Sequence, residues 1–319
     1  MPAGRSRQQG RGLPPLPPPR RYDVLCLGLN ACDHLCLVER FPRRGGKEAV
    51  LEMKTCGGGQ AATAACALAR LGHRVAYAGV CGDDEAGRRA APWLRRFGVD
   101  PAGLVQLPGT GSQEAFIMVE RSGGERTIVW YRDPACRLDP SHLDPDLLAS
   151  ARVLHLDGHF LEASLEAARL ARRAGVLVSL DGEKVLPGSE KLVGLCDVVV
   201  GCQDYPQRLC GKDDPAKALA ELARMGPAWV GRTLGAGGAE LLVAGRRYYQ
   251  PAFAVKAVDT TGAGDVFHAG LVHAVLQGQD PARALATAAA LAAISVTALG
   301  GRSALADRRR LEEFLAGRR

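Results

Sequence analysis

One stretch of the chain, Asp259-Thr-Thr-Gly-Ala-Gly-Asp265, leads directly into an apolar segment at residues 266–276 that predicts a buried helix. Gly262 and Gly264 let the backbone turn tightly because they carry no Cβ atom. The amides of Ala263 and its two successors then lie in the first helical turn, where unpaired N–H groups and the helix dipole favour an anion. We interpret the stretch as an anion hole suited to a phosphoryl group in transfer.

Asp265 stands at the rim of this predicted anion hole. A carboxylate in that position can accept a proton from an attacking hydroxyl group, and the start of a helix favours its ionised form. We therefore expect Asp265 to act as the catalytic base. The simpler alternative is that the stretch is only a glycine-rich lead into a capped helix.

Four other stretches carry groups that could contact a ligand. Cys56-Gly-Gly-Gly-Gln-Ala-Ala-Thr63 precedes the first long predicted helix, and its Gln and Thr side chains can hydrogen-bond to hydroxyls. Gly28-Leu-Asn-Ala-Cys-Asp33 follows the first predicted strand, at the end where open α/β sheets bind ligands, and its Asp could hold two vicinal hydroxyls. Thr233-Leu-Gly-Ala-Gly-Gly238 is a second glycine-rich turn, suited to a nucleotide. His155-Leu-Asp-Gly-His159 resembles a metal triplet, but a strand end beside the cleft is the favoured interpretation.

The remaining pattern alternates apolar strands with helices. Three such pairs are residues 73–80 with 84–97, 153–157 with 161–173, and 176–181 with 189–195. Repeated units of this kind imply a mostly parallel sheet covered by helices on both faces. Two segments, at about 33–54 and 113–132, contain strand patterns without helices; we expect a small antiparallel sheet that forms a lid, and an extra edge on the main sheet is the alternative.

These motifs together resemble those of the ribokinase-like (PfkB) carbohydrate kinases over nearly the whole chain after residue 21. The resemblance rests on Asp33, Gly58-Gly-Gln-Ala-Ala-Thr63, Ala69-Arg-Leu-Gly72, Gly79-Val-Cys-Gly-Asp-Asp84, Thr233-Leu-Gly-Ala-Gly-Gly238 and Asp259-Thr-Thr-Gly-Ala-Gly-Asp265. It implies a three-layer α/β/α fold with a mostly parallel central sheet and a small antiparallel β lid. It also implies a phosphotransferase that moves the γ-phosphate of ATP to a sugar hydroxyl, with Mg²⁺ as the accompanying ion.

The resemblance assigns roles to individual residues of this chain. Asp265 would be the catalytic base, with Gly262, Ala263 and Gly264 as the anion hole. The sugar site would be lined by Asp33, Gly58, Gly59, Gln60, Thr63 and Asp259. The nucleotide would lie against Thr233, Gly235 and Gly238. The lid often forms a dimer interface in such enzymes, so we expect a homodimer.

The chain departs from the family at the Asn-x-x-Glu motif, which helps many members to organise Mg²⁺ and phosphate. Cys202 stands in place of the Asn and Tyr205 in place of the Glu, which leaves the metal ligands unassigned. The ion could be held mostly by nucleotide phosphates and water, with Gln203, Asp204 and Glu183 contributing through water. A K⁺ site is also open at Asp259, Thr261 and Ser303, although a loop near an anion hole often has this composition.

Several residues bear on the substrate. Gln60, Thr63 and Ala31 differ from the residues usual in ribokinases, which argues against ribose. Arg126-Thr-Ile-Val129 and Ser179-Leu-Asp-Gly-Glu-Lys184 are closer to the ketohexokinase-like members, so a ketose such as fructose is the preferred substrate. Arg126, Arg132 and Lys184 leave a phosphorylated or sulfonated sugar open. A nucleoside or vitamin-precursor kinase, and a non-catalytic sugar- or nucleotide-binding protein, are the alternatives.

Composition sets the outer limits of these interpretations. Of 319 residues, 47% are hydrophobic and 24% charged, which is typical of a globular protein. Residues 1–21 contain six prolines and five arginines but no acid, so we expect a disordered tail before a kinase domain at 22–319. This tail carries most of the net charge of +7, which argues against nucleic-acid binding. The absence of a long apolar run argues against membrane insertion, and ten cysteines without a C-x-x-C pair predict a reduced, cytoplasmic protein.

Overall fold

The computed structural model describes residues 12–318. The first half of the predicted tail, residues 1–11, lies outside the described residues. Residues 12–21 were expected to be solvated, but Leu13 and Leu16 pack against the hydrophobic core. The Arg20 side chain donates hydrogen bonds of 2.7 Å to the carbonyls of Ala149 and Ala174. Burial of the two leucines and these hydrogen bonds fix this segment on the body.

Residues 12–318 form thirteen strands and ten α-helices. The strands are β1 (Tyr22–Leu27), β2 (Ala31–Val38), β3 (Val50–Gly58), β4 (Val75–Gly82), β5 (Asp100–Leu107), β6 (Glu114–Glu120), β7 (Arg126–Tyr131), β8 (Ala151–Leu156), β9 (Leu177–Gly182), β10 (Val198–Gly201), β11 (Trp229–Thr233), β12 (Ala239–Val243) and β13 (Arg246–Gln250). The helices are α1 (Gln60–Arg70), α2 (Glu85–Arg96), α3 (Pro145–Ala149), α4 (Leu161–Arg173), α5 (Ser189–Val193), α6 (Tyr205–Cys210), α7 (Pro215–Arg224), α8 (Ala263–Leu276), α9 (Pro281–Ser295) and α10 (Arg308–Ala316).

Nine strands form the central sheet, in the order β13-β12-β11-β10-β9-β8-β1-β4-β5. Neighbours from β11 to β5 run parallel, whereas β12 and β13 are antiparallel additions at one edge. Side chains alternate between two hydrophobic cores, as the period of a strand requires. In β1, Val24 and Cys26 pack towards α1, α8 and α9, while Leu25 and Leu27 pack towards α4 and α7. The predicted three-layer α/β fold is therefore confirmed.

The smaller sheet has the order β3-β2-β6-β7. Two of its three pairings are antiparallel, but β2 and β6 run parallel. The sequence pattern predicts a strand at residues 49–54 and a helix from residue 58, but in the structure β3 continues to Gly58 and α1 begins at Gln60. The difference has a local cause: Gly57 and Gly58 stay in register with β2, and a Cβ atom at Gly58 would overlap the Asp33 carboxylate.

The helices that matter most for the site pack closely together. Helices α1 and α8 contact each other on one face of the central sheet, and α8 also packs along α9. A Cβ atom at Gly270 would lie 2.6 Å from the Cα of Ala288, so a glycine is needed for this close approach. The first turns of α1 and α8 consequently lie together at the edge of the sheet that faces the smaller sheet.

Candidate active site

A cavity of about 220 Å³ lies between the end of the central sheet and the smaller sheet. Its walls come from segments far apart in the chain: β2, β6 and β7 on one side, and the first turns of α1 and α8 on the other. Among the predicted site residues, those that line it are Asp33, Gly59, Gln60, Thr63, Gly262 and Asp265. The structure thus brings the predicted sugar-binding and catalytic stretches to one place.

The first turn of α8 has the geometry of an anion site. Gly262 caps the helix with φ of 75°, a left-handed conformation that favours glycine. The amide of Ala263 donates to the Thr260 carbonyl at 3.3 Å. Within residues 12–318, the amides of Gly264 and Asp265 have no acceptor, and a Cβ atom at Gly264 would meet open space. These two N–H groups are available to an anionic ligand.

Asp265 faces the cavity from this same turn. Burial raises the pKa of its carboxyl well above the usual range, and the nearby carboxylates of Asp181 and Glu183 raise it further, while Arg126 acts in the opposite direction. The helix start favours the ionised form of Asp265, but burial and the neighbouring carboxylates act against it. Loss of water around the carboxylate and repulsion between like charges outweigh the helix dipole.

Asp33 lies on the inner face of β2 and is 7% exposed. Burial raises the pKa of its carboxyl to about 6, and Asp259 raises it too, whereas Arg302 lowers it. The missing side chain of Gly58 makes room for this carboxylate. Asp33 is placed to accept hydrogen bonds from ligand hydroxyls. Gly58 packs against the Asp33 carboxylate and does not itself line the cavity.

Arg302 is a residue that the sequence argument missed. It is 6% exposed, and its side chain donates to the Thr63 hydroxyl at 3.1 Å and to the Gly58 carbonyl. It therefore fixes two predicted site residues relative to each other. The only local signal is the glycine pair that precedes it, which permits a tight turn after α9.

Gln60, His159 and Glu183 form a hydrogen-bonded group in the cavity wall. The Gln60 amide donates to Glu183 Oε2 at 2.5 Å, and its carbonyl oxygen accepts from His159 Nε2. The hydrogen bond from His159 is the largest cause that lowers the pKa of Glu183. The prediction that the 155–159 stretch lies beside the cleft agrees with the position of His159.

Two buried aspartates hold loops instead of lining the cavity. Asp259 is 1% exposed and accepts hydrogen bonds from the amides of Thr261 at 2.8 Å and Gly300 at 2.7 Å. Asp157 accepts from the Leu29 amide at 2.6 Å, just before β2. Asp259 had been expected to line the sugar site; in the structure its carboxylate fixes the loop that precedes α8.

The smaller sheet is tied to that loop. The Arg126 guanidinium donates to the Thr260 hydroxyl at 2.8 Å, and this hydroxyl donates to the Gly124 carbonyl at 3.1 Å. The Thr260 amide also donates to Gly124. The hairpin between β6 and β7 is therefore bonded directly to the segment that forms the anion site.

The residues predicted to face the nucleotide lie outside the cavity lining. Thr233 ends β11, and Gly235 and Gly238 belong to the turn before β12, both with positive φ. The turn follows the carboxyl end of a parallel strand, on the same edge of the sheet as the cavity. This is the edge at which open α/β sheets bind ligands.

The turn after β10 stands where many family members carry the Asn-x-x-Glu motif, and Tyr205 occupies the position of the Glu. Tyr205 is 1% exposed and packs against Gly182 and Gly201, so its hydroxyl is not a metal ligand there. The Cys202 thiol donates to Asp204, which forms an ion pair with Arg208 at 2.9 Å.

Among residues 12–318, one group of side chains has metal-ligand spacing, formed by Cys32, His34 and Glu114. It lies on β2 and β6, and the alternation of β2 places it on the face opposite Asp33.

The model of the pfkB family carbohydrate kinases matches residues 22–308. The chain belongs to this family. A nucleoside kinase from Methanothermobacter thermautotrophicus is 28% identical over 81% of this chain and 84% of its own length. Fructokinase-1 from Oryza sativa subsp. japonica is 34% identical over 69% of this chain and 74% of its own.

Solved structures agree with the PfkB assignment. A putative ribokinase from Agrobacterium tumefaciens superposes with a TM-score of 0.86 at 30% identity, over 93% of this chain and 98% of that one. The predicted enzyme class, a phosphotransferase acting on an alcohol group, is confirmed by the family. Separately, no helix within residues 12–318 is long and apolar enough to cross a membrane.

Proposed function

We propose that this PfkB kinase transfers the γ-phosphate of ATP to a hydroxyl of a ketose such as fructose or a derivative of it. The observation that carries the proposal is the meeting of three features in one cavity. The unpaired amides of the α8 first turn lie beside the Asp265 carboxylate, and Asp33, Gln60 and Thr63 line the same space. A sugar held by the latter three groups would direct one hydroxyl towards Asp265.

The reaction follows from these positions. Asp265 takes the proton of the acceptor hydroxyl, whose oxygen forms a bond to the γ-phosphorus while the bond to the bridging β,γ-oxygen breaks and ADP leaves. Negative charge on the transferred group is stabilised by the amides of Gly264 and Asp265. A raised pKa makes Asp265 a stronger base once it is ionised, and Arg126 favours the ionised form.

Mg²⁺ bound to the nucleotide would neutralise phosphate charge during the transfer. Glu183 and Asp204 are the carboxylates that could hold its water ligands. Glu183 is half exposed and lines the cavity, where it also contacts Gln60 and His159. Asp204 lies outside the cavity lining and forms an ion pair with Arg208. The nucleotide itself would extend from the α8 turn along the sheet edge towards Thr233, Gly235 and Gly238.

The test is the substitution Asp265→Asn in the purified full chain. ADP release is measured with fructose, other ketoses, aldoses, adenosine, inosine and pyridoxal as acceptors. We expect the variant to lose about 10²–10⁴-fold in kcat with the KM for ATP nearly unchanged. The exposed Asp213→Asn is the matched control. Full activity of the Asp265 variant would remove the proposed base, and a preference for adenosine or inosine would favour the nucleoside kinase that one relative represents.

Potassium is a separate part of the proposal. The Lys54 ammonium donates to the Ser303 hydroxyl at 2.6 Å and to the Leu299 carbonyl at 3.1 Å. Both carboxylate oxygens of Asp259 accept amide hydrogens. A positive charge therefore already occupies the loop at which a K⁺ ion was considered. We expect equal kcat in potassium, sodium and tetramethylammonium buffers, and a clear increase in potassium would show that a monovalent ion is needed.

We also propose a cytoplasmic homodimer. Its interface would be the outer face of the smaller sheet, where Met53, Phe116, Val129 and Tyr131 are 74%, 55%, 64% and 61% exposed. An apolar patch of this kind marks an interaction surface. All ten cysteines are unpaired, which supports a reducing compartment.

A further inference from the structure

A row of four side chains lines one wall of the cavity along strand β7. Strand β7 places Arg126, Ile128 and Trp130 on one face by its two-residue period, and Arg132 continues the row one residue beyond the strand. All four line the cavity. At about 3.3 Å per residue, the backbone positions of Arg126 and Arg132 are roughly 20 Å apart. The row therefore carries a positive charge at each of its two ends.

The Arg126 end of the row lies beside the proposed site of phosphoryl transfer. Its guanidinium is bonded to Thr260, next to the α8 turn, and its charge lowers the pKa of Asp265. A substrate with one hydroxyl at Asp265 could extend along the row from Arg126 towards Arg132.

The far end holds two cations without a carboxylate partner. The Arg132 guanidinium lies 5.0 Å from the centre of the Phe160 ring, and the Lys184 ammonium lies 5.0 Å from the centre of the Trp130 ring. Within the described part of the chain neither forms an ion pair. The nearby Glu183 is instead bonded to Gln60 and His159.

Arg132 also has an unused donor. Its Nη1 atom is shielded from solvent and has no hydrogen-bond partner in the part of the chain described. A buried donor without an acceptor is unfavourable unless a ligand supplies one. Stacking on an aromatic ring fixes the direction of a guanidinium in advance, and its planar fork suits the oxygens of a carboxylate, sulfonate or phosphate.

We propose that Arg132 and Lys184 form a subsite for an anionic group on the sugar, at the end opposite to its acceptor hydroxyl. The group is a phosphate, a sulfonate or a carboxylate, and the product would carry a second anion after phosphorylation. The inference rests on the proposed function, since it takes the hydroxyl at Asp265 as the reacting end. Two cations without carboxylate partners serve a neutral sugar poorly because they must be desolvated without compensation.

The experiment compares fructose with its 6-phosphate, its 6-sulfonate analogue and the corresponding 6-carboxylate. We expect kcat/KM at least 100-fold higher for one of the three acids than for fructose. Arg132→Gln and Lys184→Met should each lower that value about 30-fold or more, mainly through KM, and change it less than threefold for fructose. The KM for ATP should stay constant. The exposed Arg137→Gln and Lys191→Met are the matched controls.

Three results would overturn the subsite. They are equal efficiency for fructose and all three acids, equal losses on neutral and anionic sugars in the variants, and a raised KM for ATP, which would place the cations against the nucleotide. If no sugar is phosphorylated, the proposed function is rejected but the subsite is not. Binding of the three acids, measured by calorimetry, then tests the subsite. Binding at least tenfold tighter to the wild type than to Arg132→Gln would then support the subsite, and equal binding would reject it.

Discussion

Asp33 and Asp265 face the same cavity, and both have raised pKa values for a related reason. Burial is the largest cause in each case, but Arg302 opposes it at Asp33 and Arg126 opposes it at Asp265. A carboxylate of this kind opposes folding at neutral pH because its charged form is poorly solvated. Both carboxylates therefore reduce the stability of the fold at a pH at which they are ionised.

Asp33→Asn should therefore stabilise the protein at a pH at which the carboxyl of Asp33 is ionised. Folding raises the pKa of Asp33 from 3.8 to about 6, so the protonated form stabilises the fold at low pH. That contribution is lost as pH rises through 6, and about 3 kcal/mol is missing at pH 7.5. We expect the variant to raise the free energy of unfolding at pH 7.5 by up to that amount and to change it little at pH 4.

Urea unfolding at the two pH values measures the effect, with Asp213→Asn as the control. The same variant should raise the KM for the sugar at least 30-fold because Asp33 no longer accepts from its hydroxyls as a charged group. A loss of stability at both pH values would show that the contact with Arg302 outweighs the burial of charge.

At the level of elements, the glycines at the end of strand β3 make room for the Asp33 carboxylate and lead into α1. The last residue of β3, Gly58, is paired with β2 and leaves the space that Asp33 fills. Gly59 follows with φ of 89° and is the N-cap residue of α1. One short segment thus ends a strand, admits a carboxylate and positions Gln60.

Gly58→Ala should displace the Asp33 carboxylate. We expect a rise of tenfold or more in the KM for the sugar and an unchanged KM for ATP, since the nucleotide is proposed to bind elsewhere on the sheet edge. Steady-state kinetics with each substrate varied in turn will measure this. Gly123→Ala is the control, because a Cβ atom there meets open space. A variant with normal sugar kinetics would mean that Asp33 does not contact the sugar.

Features built from residues close together in the sequence could be predicted, and features built from residues far apart in the sequence could not. The α8 turn could be predicted because its glycines, amides and Asp265 lie within one heptapeptide. Arg302 could not, because it acts on Thr63 from 239 residues away. The electrostatic environment of Asp265 could not be predicted for the same reason, since Asp181 and Glu183 come close to it only through the fold.

At the scale of the whole molecule, two sheets share one cavity, and the outer face of the smaller sheet is apolar. Phe116 on β6 and Val129 on the edge strand β7 are paired on that face. If this face joins two copies, each cavity is closed by a sheet whose position depends on its partner.

Phe116→Glu should therefore convert the dimer into a monomer. Charge placed in an apolar interface without a partner is strongly unfavourable. Size-exclusion chromatography with light scattering will show the mass, and Tyr249→Glu, an equally exposed aromatic on β13, is the control. A wild-type protein that elutes as a monomer at micromolar concentration would refute this interface.

The bonds between Gly124 and Thr260 have a consequence for the hydrolysis of ATP by water. They connect the smaller sheet to the loop that leads into the free amides of α8. Movement of this sheet away from the body would break these bonds and release that loop. In the proposed kinase, a displaced sheet would therefore leave the anion site misaligned, which would slow the wasteful transfer of phosphate to water.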